Sequence, residues 1–318
     1  MGKDSPEKGW VDLKIAVVIV TFNRLETLKG TLCAYAGQTT PPDHMIVVDN
    51  HSTDGTAEYL AQWKSEKGPF ERQVCILPEN RGGSGGFAFG MTQALNTDCD
   101  WVFVADDDAV PRRDVFERLQ GFCAAHPDLA AQAAAVCTAV FNRDHHSSFH
   151  RAVLKKTPVG YFETYVPEAQ YALPYFEFDM YSFVGAMMRA EALRKAGVAR
   201  ADFFIYNDDF EHALRLRRYG KIYCVPPAVM DHVDNLTRCR EASWRDYYGT
   251  RNAVMFHKIH FGSYVAFWRA ARRLVMELPS LNPEKLRVTW QGIVDGFRLK
   301  TGLHPVYRPG WKPKRILH

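Results

Sequence analysis

The stretch that decides the fold is residues 101–108, WVFVADDD, in which an apolar run leads directly into three carboxylates. A short apolar run rich in valine and aromatic residues is typical of a buried strand. Three acids at its end hold like charges close together, which costs free energy unless a cation binds there. Carboxylate oxygens suit Mg²⁺ or Mn²⁺. The octet therefore predicts a metal site at the end of a strand. The alternative is a helix N-terminus, because Pro111 follows and aspartate complements the helix dipole.

Three earlier apolar runs, residues 15–20, 45–48 and 74–77, also end in polar residues. A helical pattern follows each of them, so strand–loop–helix units succeed one another as far as the octet. This order predicts an α/β fold with a mostly parallel central sheet flanked by helices. Open sheets of this kind bind ligands at the carboxyl ends of their strands. The polar residues after each strand are therefore the candidates for a binding site.

The rest of the chain is less regular. Residues 142–180 carry many aromatic residues and read as a long insertion over the site, and a strand at residues 222–225 runs into a Pro-Pro turn. From residue 241 onward the pattern is helical, with a break near Pro279 and Pro283.

We therefore divide the chain into three parts. Residues 1–13 form a leader, and residues 14–240 form a catalytic domain with a nucleotide-binding half (14–110) and an acceptor half (111–240). Residues 241–318 form a C-terminal helical region with a basic tail.

Composition excludes several classes of protein. The chain has 318 residues, a formal net charge of only +4 and 47% hydrophobic residues, so a large core is expected and nucleic acid is not an expected partner. The seven cysteines form no C-x-x-C pair, which argues against a zinc cluster or a disulfide framework and for a cytoplasmic setting. No apolar run has the length of a membrane span.

A dinucleotide-binding interpretation has to be weighed first. Residues 80–86, NRGGSGG, are predicted to form a glycine-rich loop that leads into a helix ending near Leu95. Residues 83–88, GSGGFA, fit the G-x-G-x-x-A pattern after a strand, and Asp106 follows at about the spacing of a ribose ligand. However, this is the third strand–helix unit rather than the first, and the acid belongs to a triplet. An NAD-dependent oxidoreductase is therefore the weaker alternative.

Four segments, taken together, resemble the inverting family-2 glycosyltransferases, whose GT-A fold binds a nucleotide-sugar at the carboxyl edge of its sheet. They are residues 21–24 (TFNR), 49–56 (DNHSTDGT), 80–83 (NRGG) and 106–108 (DDD). The resemblance implies that the donor pocket is lined by Thr21, Asn23, Arg24, Asp49, Asp54, Asn80, Arg81, Gly82 and Gly83. It also implies that Asp106 and Asp108 surround the metal and the diphosphate. Asp107 is a further candidate for donor binding, and its alternative is a structural acid satisfied by backbone N–H groups. Strand alternation agrees, because residues i and i+2 point to the same side of an extended segment.

Residues 204–215, FIYNDDFEHALR, resemble the segment that supplies the catalytic base in this family. An inverting transfer needs one carboxylate near the acceptor hydroxyl. The resemblance favours Asp209 as this base and Asp208 as the residue that orients the acceptor. The alternative is that either acid only caps the helix. Glu211 is expected to support the first helical turn.

Two later segments complete the resemblance. His232, in the segment DHVD, matches the position where a histidine completes the metal shell, and neutral imidazole is compatible with Mn²⁺. Residues 247–252, YYGTRN, resemble the Y-Y-x-x-R-N signature of rhamnosyl- and galactofuranosyltransferases. Arg251 is expected to pair with a diphosphate or a carboxylate. The two tyrosines either touch the substrate or are buried.

Residues 253–276 alternate aromatic and basic positions, as expected for an amphipathic helix. Such a helix can lie on an anionic membrane surface, which would place the protein on the cytoplasmic face of the inner membrane. The alternative is packing against the sheet or against a partner subunit in a homo-oligomer.

The sequence thus predicts a Mn²⁺- or Mg²⁺-dependent inverting glycosyltransferase that acts on a glycan or lipid-linked glycan in cell-surface polysaccharide synthesis. The resemblance favours UDP-galactofuranose as donor, with dTDP-rhamnose second. The family's galactan polymerases carry extra domains and a tryptophan where this chain has Asn207, so single or few additions are expected. A non-catalytic sugar-nucleotide-binding module is the remaining alternative.

Overall fold

The computed structural model describes residues 13–142, 145–146, 148–232, 241–280 and 282–313. Their strands are β1 (Ile15–Thr21), β2 (His44–Asp49), β3 (Glu71–Ile76), β4 (Trp101–Asp106), β5 (Ala109–Pro111), β6 (Ala133–Asn142), β7 (His145–His146), β8 (Arg151–Thr157), β9 (Gly160–Tyr165), β10 (Phe176–Phe178), β11 (Met180–Tyr181), β12 (Ala186–Arg189) and β13 (Lys221–His232). Their helices are α1 (Leu25–Ala36), α2 (Thr56–Ser65), α3 (Gly82–Ala94), α4 (Val115–Ala125), α5 (Pro127–Gln132), α6 (Ala190–Ala196), α7 (Asp208–Leu216), α8 (Trp244–Phe261), α9 (Ser263–Glu277) and α10 (Pro283–Phe297).

A large central sheet has the strand order β10-β13-β6-β12-β4-β1-β2-β3. Strands β3, β2, β1 and β4 are parallel. Strands β1, β2 and β4 are buried along most of their length, as their apolar sequences predict, whereas β3 is partly exposed at the edge of the sheet. Strand β12 lies antiparallel between β4 and β6 and joins this half to the parallel pair β6–β13. Two apolar clusters cover the two faces of the sheet. The predicted fold class, an α/β sheet flanked by helices with a helical C-terminal region, is confirmed.

Four local predictions differ from the structure. The glycine-rich segment is not an open loop, since α3 already begins at Gly82. Pro226 and Pro227 do not form a turn, because β13 continues through them with a change of register between Val225 and Val229. Residues 142–180 are not an irregular insertion, since β8 and β9 form a hairpin that β11 extends. The helical pattern of 253–276 is broken at Gly262, where a φ of +89° ends α8 and begins α9.

The C-terminal helices pack on one another and on the loop before α7. Gly292 and Gly296 of α10 lie so close to α8 that an added Cβ would stand 2.9 Å and 2.7 Å from its backbone. Among the described residues, no helix has both the length and the apolar character needed to cross a bilayer.

Candidate active site

The metal candidates meet at the carboxyl end of β4 because of a strand pairing that follows the acids. Strand β5 begins immediately after Asp108 and pairs antiparallel with the end of β13, which places His232 opposite Ala109. Ligand atoms of Asp106, Asp108 and His232 all lie within 4.8 Å of one another. The Nε2 atom of His232 is 3.3 Å from Oδ1 of Asp108. The structure thus brings together the three residues predicted as metal ligands.

The electrostatics of this cluster favour a cation. Burial and the neighbouring charge of Asp108 raise the pKa of Asp106 to about 7. Burial also acts on Asp108, but His232 and Arg24 hold the pKa of that carboxyl below its ordinary value. Two carboxylates and one imidazole form a donor set that suits Mn²⁺. A bound divalent ion would relieve the repulsion between the acids.

We predict that Asp106→Asn stabilises the metal-free protein. An aspartate whose pKa is raised on folding lowers stability as pH rises from its unfolded pKa through its folded pKa. The gain in melting temperature should therefore grow between about pH 4 and pH 7 and reach about 2–5 °C. Thermal melts of both proteins across this range measure it. Added Mn²⁺ should stabilise the unsubstituted protein and the control Asp231→Asn, but not Asp106→Asn. A metal-free gain that shrinks as pH rises would contradict the assignment.

Asp107 points away from the cluster and is only 4% exposed. Its carboxylate accepts a hydrogen bond from Thr21 Oγ1 at 2.6 Å and one from Arg24 Nη1 at 3.1 Å, and its carbonyl accepts one from Thr31. Arg24 also pairs with Asp108. Its guanidinium is half exposed at the rim. Asp107 therefore positions Thr21 and Arg24, two of the residues predicted to line the donor pocket.

The loops after β1 and β2 are tied together by side chains predicted to bind the donor. Asn23 Oδ1 accepts the Thr53 N–H at 2.7 Å, and Asp54 accepts the N–H groups of Leu25 at 3.0 Å and Thr56 at 3.3 Å, near the starts of α1 and α2. Asp49 is fully buried at the end of β2. Its Oδ1 accepts the Ser52 N–H, while its Oδ2 has no hydrogen-bond partner among the described residues. The roles of these residues toward a nucleotide stay predictions.

The segment before α3 is held by Asn50, which the sequence analysis did not identify. Its amide donates to Asn80 Oδ1 at 3.2 Å and to the Gly82 carbonyl at 2.9 Å, and its Oδ1 accepts the Arg81 N–H at 2.9 Å. The side chains of Asn50 and Asn80 are thus engaged in shaping the loop, whereas the Arg81 side chain is half exposed at the rim.

Asp208 and Asp209 begin α7 after a strained turn. Phe204, Tyr206 and Asn207 all have φ between +62° and +70°, a region that side chains rarely adopt. Burial raises the pKa of Asp208 to about 6. Burial, together with the charges of Asp208 and Asp106, raises the pKa of Asp209 well above its ordinary value. The turn lies beside the start of α3, because the Phe204 carbonyl accepts the Ser84 N–H at 3.2 Å.

Glu211, by contrast, is engaged inside the protein. It is buried between Arg215, 2.9 Å away, and His260, 3.3 Å away. Although burial works the other way, His260 and Arg215 hold the pKa of Glu211 below its ordinary value. Glu211 thus supports the first turn of α7 through its ion pairs and differs in this respect from the two aspartates that precede it.

Asn252 and Arg251 hold the strained turn. The Asn252 amide donates to the carbonyls of Phe203, Ile205 and Tyr206 at 2.9, 2.7 and 2.9 Å. The Arg251 guanidinium, 1% exposed, donates to the carbonyls of Phe203 at 2.9 Å and Gly302 at 2.7 Å.

The structure therefore does not bring Arg251 to the diphosphate position predicted for it, because backbone carbonyls take up its donors. Tyr247 and Tyr248 are buried as well, in agreement with the packing alternative. Asn252 was not predicted as a functional residue, although it is the last residue of the Y-Y-x-x-R-N signature. Buried amide and guanidinium groups that donate to backbone carbonyls position a loop and are not free to contact a substrate.

Comparison with known proteins identifies the family. The glycosyl transferase family 2 profile matches residues 16–197, more than half of the chain. The chain is 31% identical over 206 residues to the galactofuranosyltransferase GlfT1 of Mycobacterium tuberculosis and 29% identical to that of Mycolicibacterium smegmatis. These matches cover 65% of this chain and 65% and 66% of the two relatives.

Solved structures share the fold at low sequence identity. GalNAc-T7 with UDP, GalNAc and Mn²⁺ superposes with a TM-score of 0.61 and 14% identity, over 88% of this chain and 55% of that one. The mannosyltransferase PcManGT of Pyrobaculum calidifontis, in complex with GDP-Man and Mn²⁺, gives 0.56 and 17%, over 93% and 89%. S. aureus TarS 1–349 with UDP gives 0.53 and 15%, over 91% and 75%. With the profile match across its sheet and the GT-A architecture of these neighbours, the chain belongs to glycosyltransferase family 2.

Proposed function

We propose that this protein is a metal-dependent inverting glycosyltransferase that moves galactofuranose from UDP-galactofuranose to a glycan or lipid-linked glycan acceptor of a cell-surface polysaccharide. The observation that carries the proposal is the placement of Asp209. It is a half-buried carboxylate at the start of α7, which follows a turn whose Phe204 carbonyl accepts the Ser84 N–H of α3 at 3.2 Å. Burial is the main cause of its raised pKa, and the charge of Asp106 is a further cause. Both observations support a proton acceptor near the metal cluster, from which a metal-bound diphosphate would depart.

The residues that would hold the divalent ion are Asp106, Asp108 and His232. A bound Mn²⁺ or Mg²⁺ supplies charge neutralisation for the nucleoside diphosphate leaving group, without proton transfer. Arg24, already paired with Asp108 at the rim, adds a second positive charge at this edge. These groups favour departure of the diphosphate from the anomeric carbon.

Asp209 acts on the acceptor side. Its carboxylate accepts the proton of the attacking hydroxyl, the new bond forms between that oxygen and the anomeric carbon, and the bond from that carbon to the diphosphate breaks. A raised pKa makes the carboxylate a stronger proton acceptor near neutral pH. Asp208, at the same helix start, orients the acceptor. A single displacement of this kind inverts the anomeric configuration.

The names of two relatives support UDP-galactofuranose as the donor. Both mycobacterial proteins are named galactofuranosyltransferases. The family profile covers the sheet edge that carries Thr21, Asn23, Arg24, Arg81 and Gly83. Because the match to the two relatives spans 65–66% of their length, the donor and the acceptor need a direct test.

The deciding experiment is a donor panel with Mn²⁺. We expect transfer or donor hydrolysis with UDP-galactofuranose to exceed that with UDP-galactopyranose, UDP-glucose and dTDP-rhamnose by about tenfold or more. Asp108→Ala should lose Mn²⁺-dependent UDP binding, while Asp231→Asn, which removes a neighbouring carboxylate paired with Arg112, should keep it. A clear preference for dTDP-rhamnose would replace the donor assignment, and no reaction with any sugar nucleotide would overturn the proposed activity.

A further inference from the structure

Helix α9 exposes a row of large apolar side chains. Their spacing of three, four or seven residues puts them on one side of the helix. Phe267 is 56% exposed and Val275 is 64% exposed. We call this row the outer face of α9. Its members are Tyr264, Phe267, Trp268 and Val275 of the helix and Leu278, the residue that follows it.

The inward side of the same helix is built from smaller residues. Val265, Ala266 and Ala270 are buried, and the two alanines pack against Val254 of α8 and Ile293 of α10. A helix that only fills a core turns its largest apolar side chains inward. In α9 the largest apolar side chains lie on the exposed side instead, so the outer face has the character of an interaction surface.

The charged residues of α9 indicate which kind of partner its outer face binds. Its charged residues are Arg269, Arg272, Arg273 and Glu277, and the single acid is buried with its Oε1 3.0 Å from Arg273. Arg272 is exposed beside the apolar row. A second copy that docked by two-fold symmetry would bring arginine toward arginine. An anionic lipid surface, by contrast, complements both the apolar row and the exposed arginine beside it.

We propose that the outer face of α9 docks the protein on the surface of an anionic lipid bilayer. Tyrosine and tryptophan side chains favour the boundary between headgroups and acyl chains, because one end of each ring is apolar and the other polar. Phenylalanine, valine and leucine add buried apolar area, and Arg272 pairs with lipid phosphate. This inference goes beyond the proposed sugar transfer and does not rest on it.

The neighbouring hairpin connects this face to the active site. Arg269 Nη1 lies 2.7 Å from Glu163 of β9, and the Tyr161 ring stacks on Phe261 with centroids 5.8 Å apart. Strand β11 extends the same hairpin, and its Tyr181 hydroxyl lies 2.9 Å from Nδ1 of His212 in α7, the helix that begins at Asp208. A protein docked through α9 would therefore hold its acceptor side close to the bilayer, where a lipid-linked acceptor resides.

The test is co-sedimentation of the full chain with vesicles of equal parts phosphatidylglycerol and phosphatidylcholine, and with vesicles of phosphatidylcholine alone. We expect binding to the anionic vesicles that falls with added salt. The double variant Phe267→Ser/Trp268→Ser should lower the partition coefficient by about tenfold or more. The matched control Ile76→Ser/Leu173→Ser removes two residues of similar exposure, 54% and 48%, and should bind as before.

Three results would overturn the proposal. The unsubstituted protein fails to sediment with anionic vesicles, or the double variant sediments equally well, or light scattering shows a dimer that the double variant dissociates while vesicles are not bound. Circular dichroism and thermal melts establish that each variant is folded. Because sedimentation requires no donor, and transfer to a water-soluble acceptor requires no membrane, failure of the docking proposal is distinguishable from failure of the proposed activity.

Discussion

Replacing Asp209 by asparagine should lower the rate of sugar transfer by about 10³-fold while leaving Mn²⁺-dependent UDP binding within a few-fold of the original. Asparagine keeps the shape of the side chain and its hydrogen bond from the Phe210 N–H, which is 2.7 Å long. It cannot accept the hydroxyl proton. Initial rates with donor and acceptor at saturation, together with calorimetric titration of UDP, separate these two effects.

The pH dependence of this variant provides a second test. Transfer by the unsubstituted protein should fall as pH drops through the raised pKa of Asp209, because only the carboxylate accepts a proton. The residual rate of Asp209→Asn should lack that step. The control Asp114→Asn, at the start of α4, changes a carboxylate that pairs with Arg118 outside the metal cluster and should leave rate and profile unchanged. A rate within tenfold of the original in Asp209→Asn would exclude it as the base.

Gly82→Ala should destabilise the fold by roughly 3 kcal/mol and abolish transfer. Gly82 has a φ of +71°, and an added Cβ would stand 2.0 Å from the carbonyl oxygen of Phe204. That carbonyl belongs to the strained turn before Asp208, and it accepts the Ser84 N–H at 3.2 Å. The substitution therefore pushes the start of α3 and the strained turn before Asp208 apart. Urea unfolding measures the loss of stability.

The adjacent glycine provides the matched control. Among the described residues, no atom lies within 4 Å of a Cβ added at Gly83, so Gly83→Ala should change stability by less than about 1 kcal/mol. If the open space above Gly83 receives the nucleotide, the same substitution should weaken UDP binding. Equal stability in Gly82→Ala and Gly83→Ala would show that the turn yields to the added methyl group, contrary to our account.

Strand and helix order was predictable from residue patterns, because a doubly covered parallel strand requires an uninterrupted apolar run. The octet 101–108 became β4 followed by the acids as expected, and its helix-cap alternative is wrong at the acids, since β5 follows them and α4 begins only at Val115. The start of α3 was misplaced because consecutive glycines carry no apolar periodicity. Residues 142–180 were misread because a hairpin of partly exposed strands lacks the apolar signal of a core strand.

The individual site residues also differ in how far the sequence predicted their surroundings. Asp106, Asp108 and His232 were chosen by resemblance, and the structure brings them together through the β5–β13 pairing. Arg251 was chosen in the same way, yet it is buried against carbonyl oxygens. Nothing in a linear motif distinguishes an arginine that faces a ligand from one that faces the backbone, because that depends on what packs around it.

What the sequence by itself determined is the sheet, the family and the set of acids, since apolar runs, strand-end carboxylates and motif order are local properties of the chain. Only the tertiary structure decided which acids face one another, why Gly82 has to be glycine, and that Asn252 holds the turn before Asp208. These depend on contacts between segments far apart in the chain. The outward placement of the large side chains of α9 is of the same kind, because burial is decided by which side of a helix its neighbours cover.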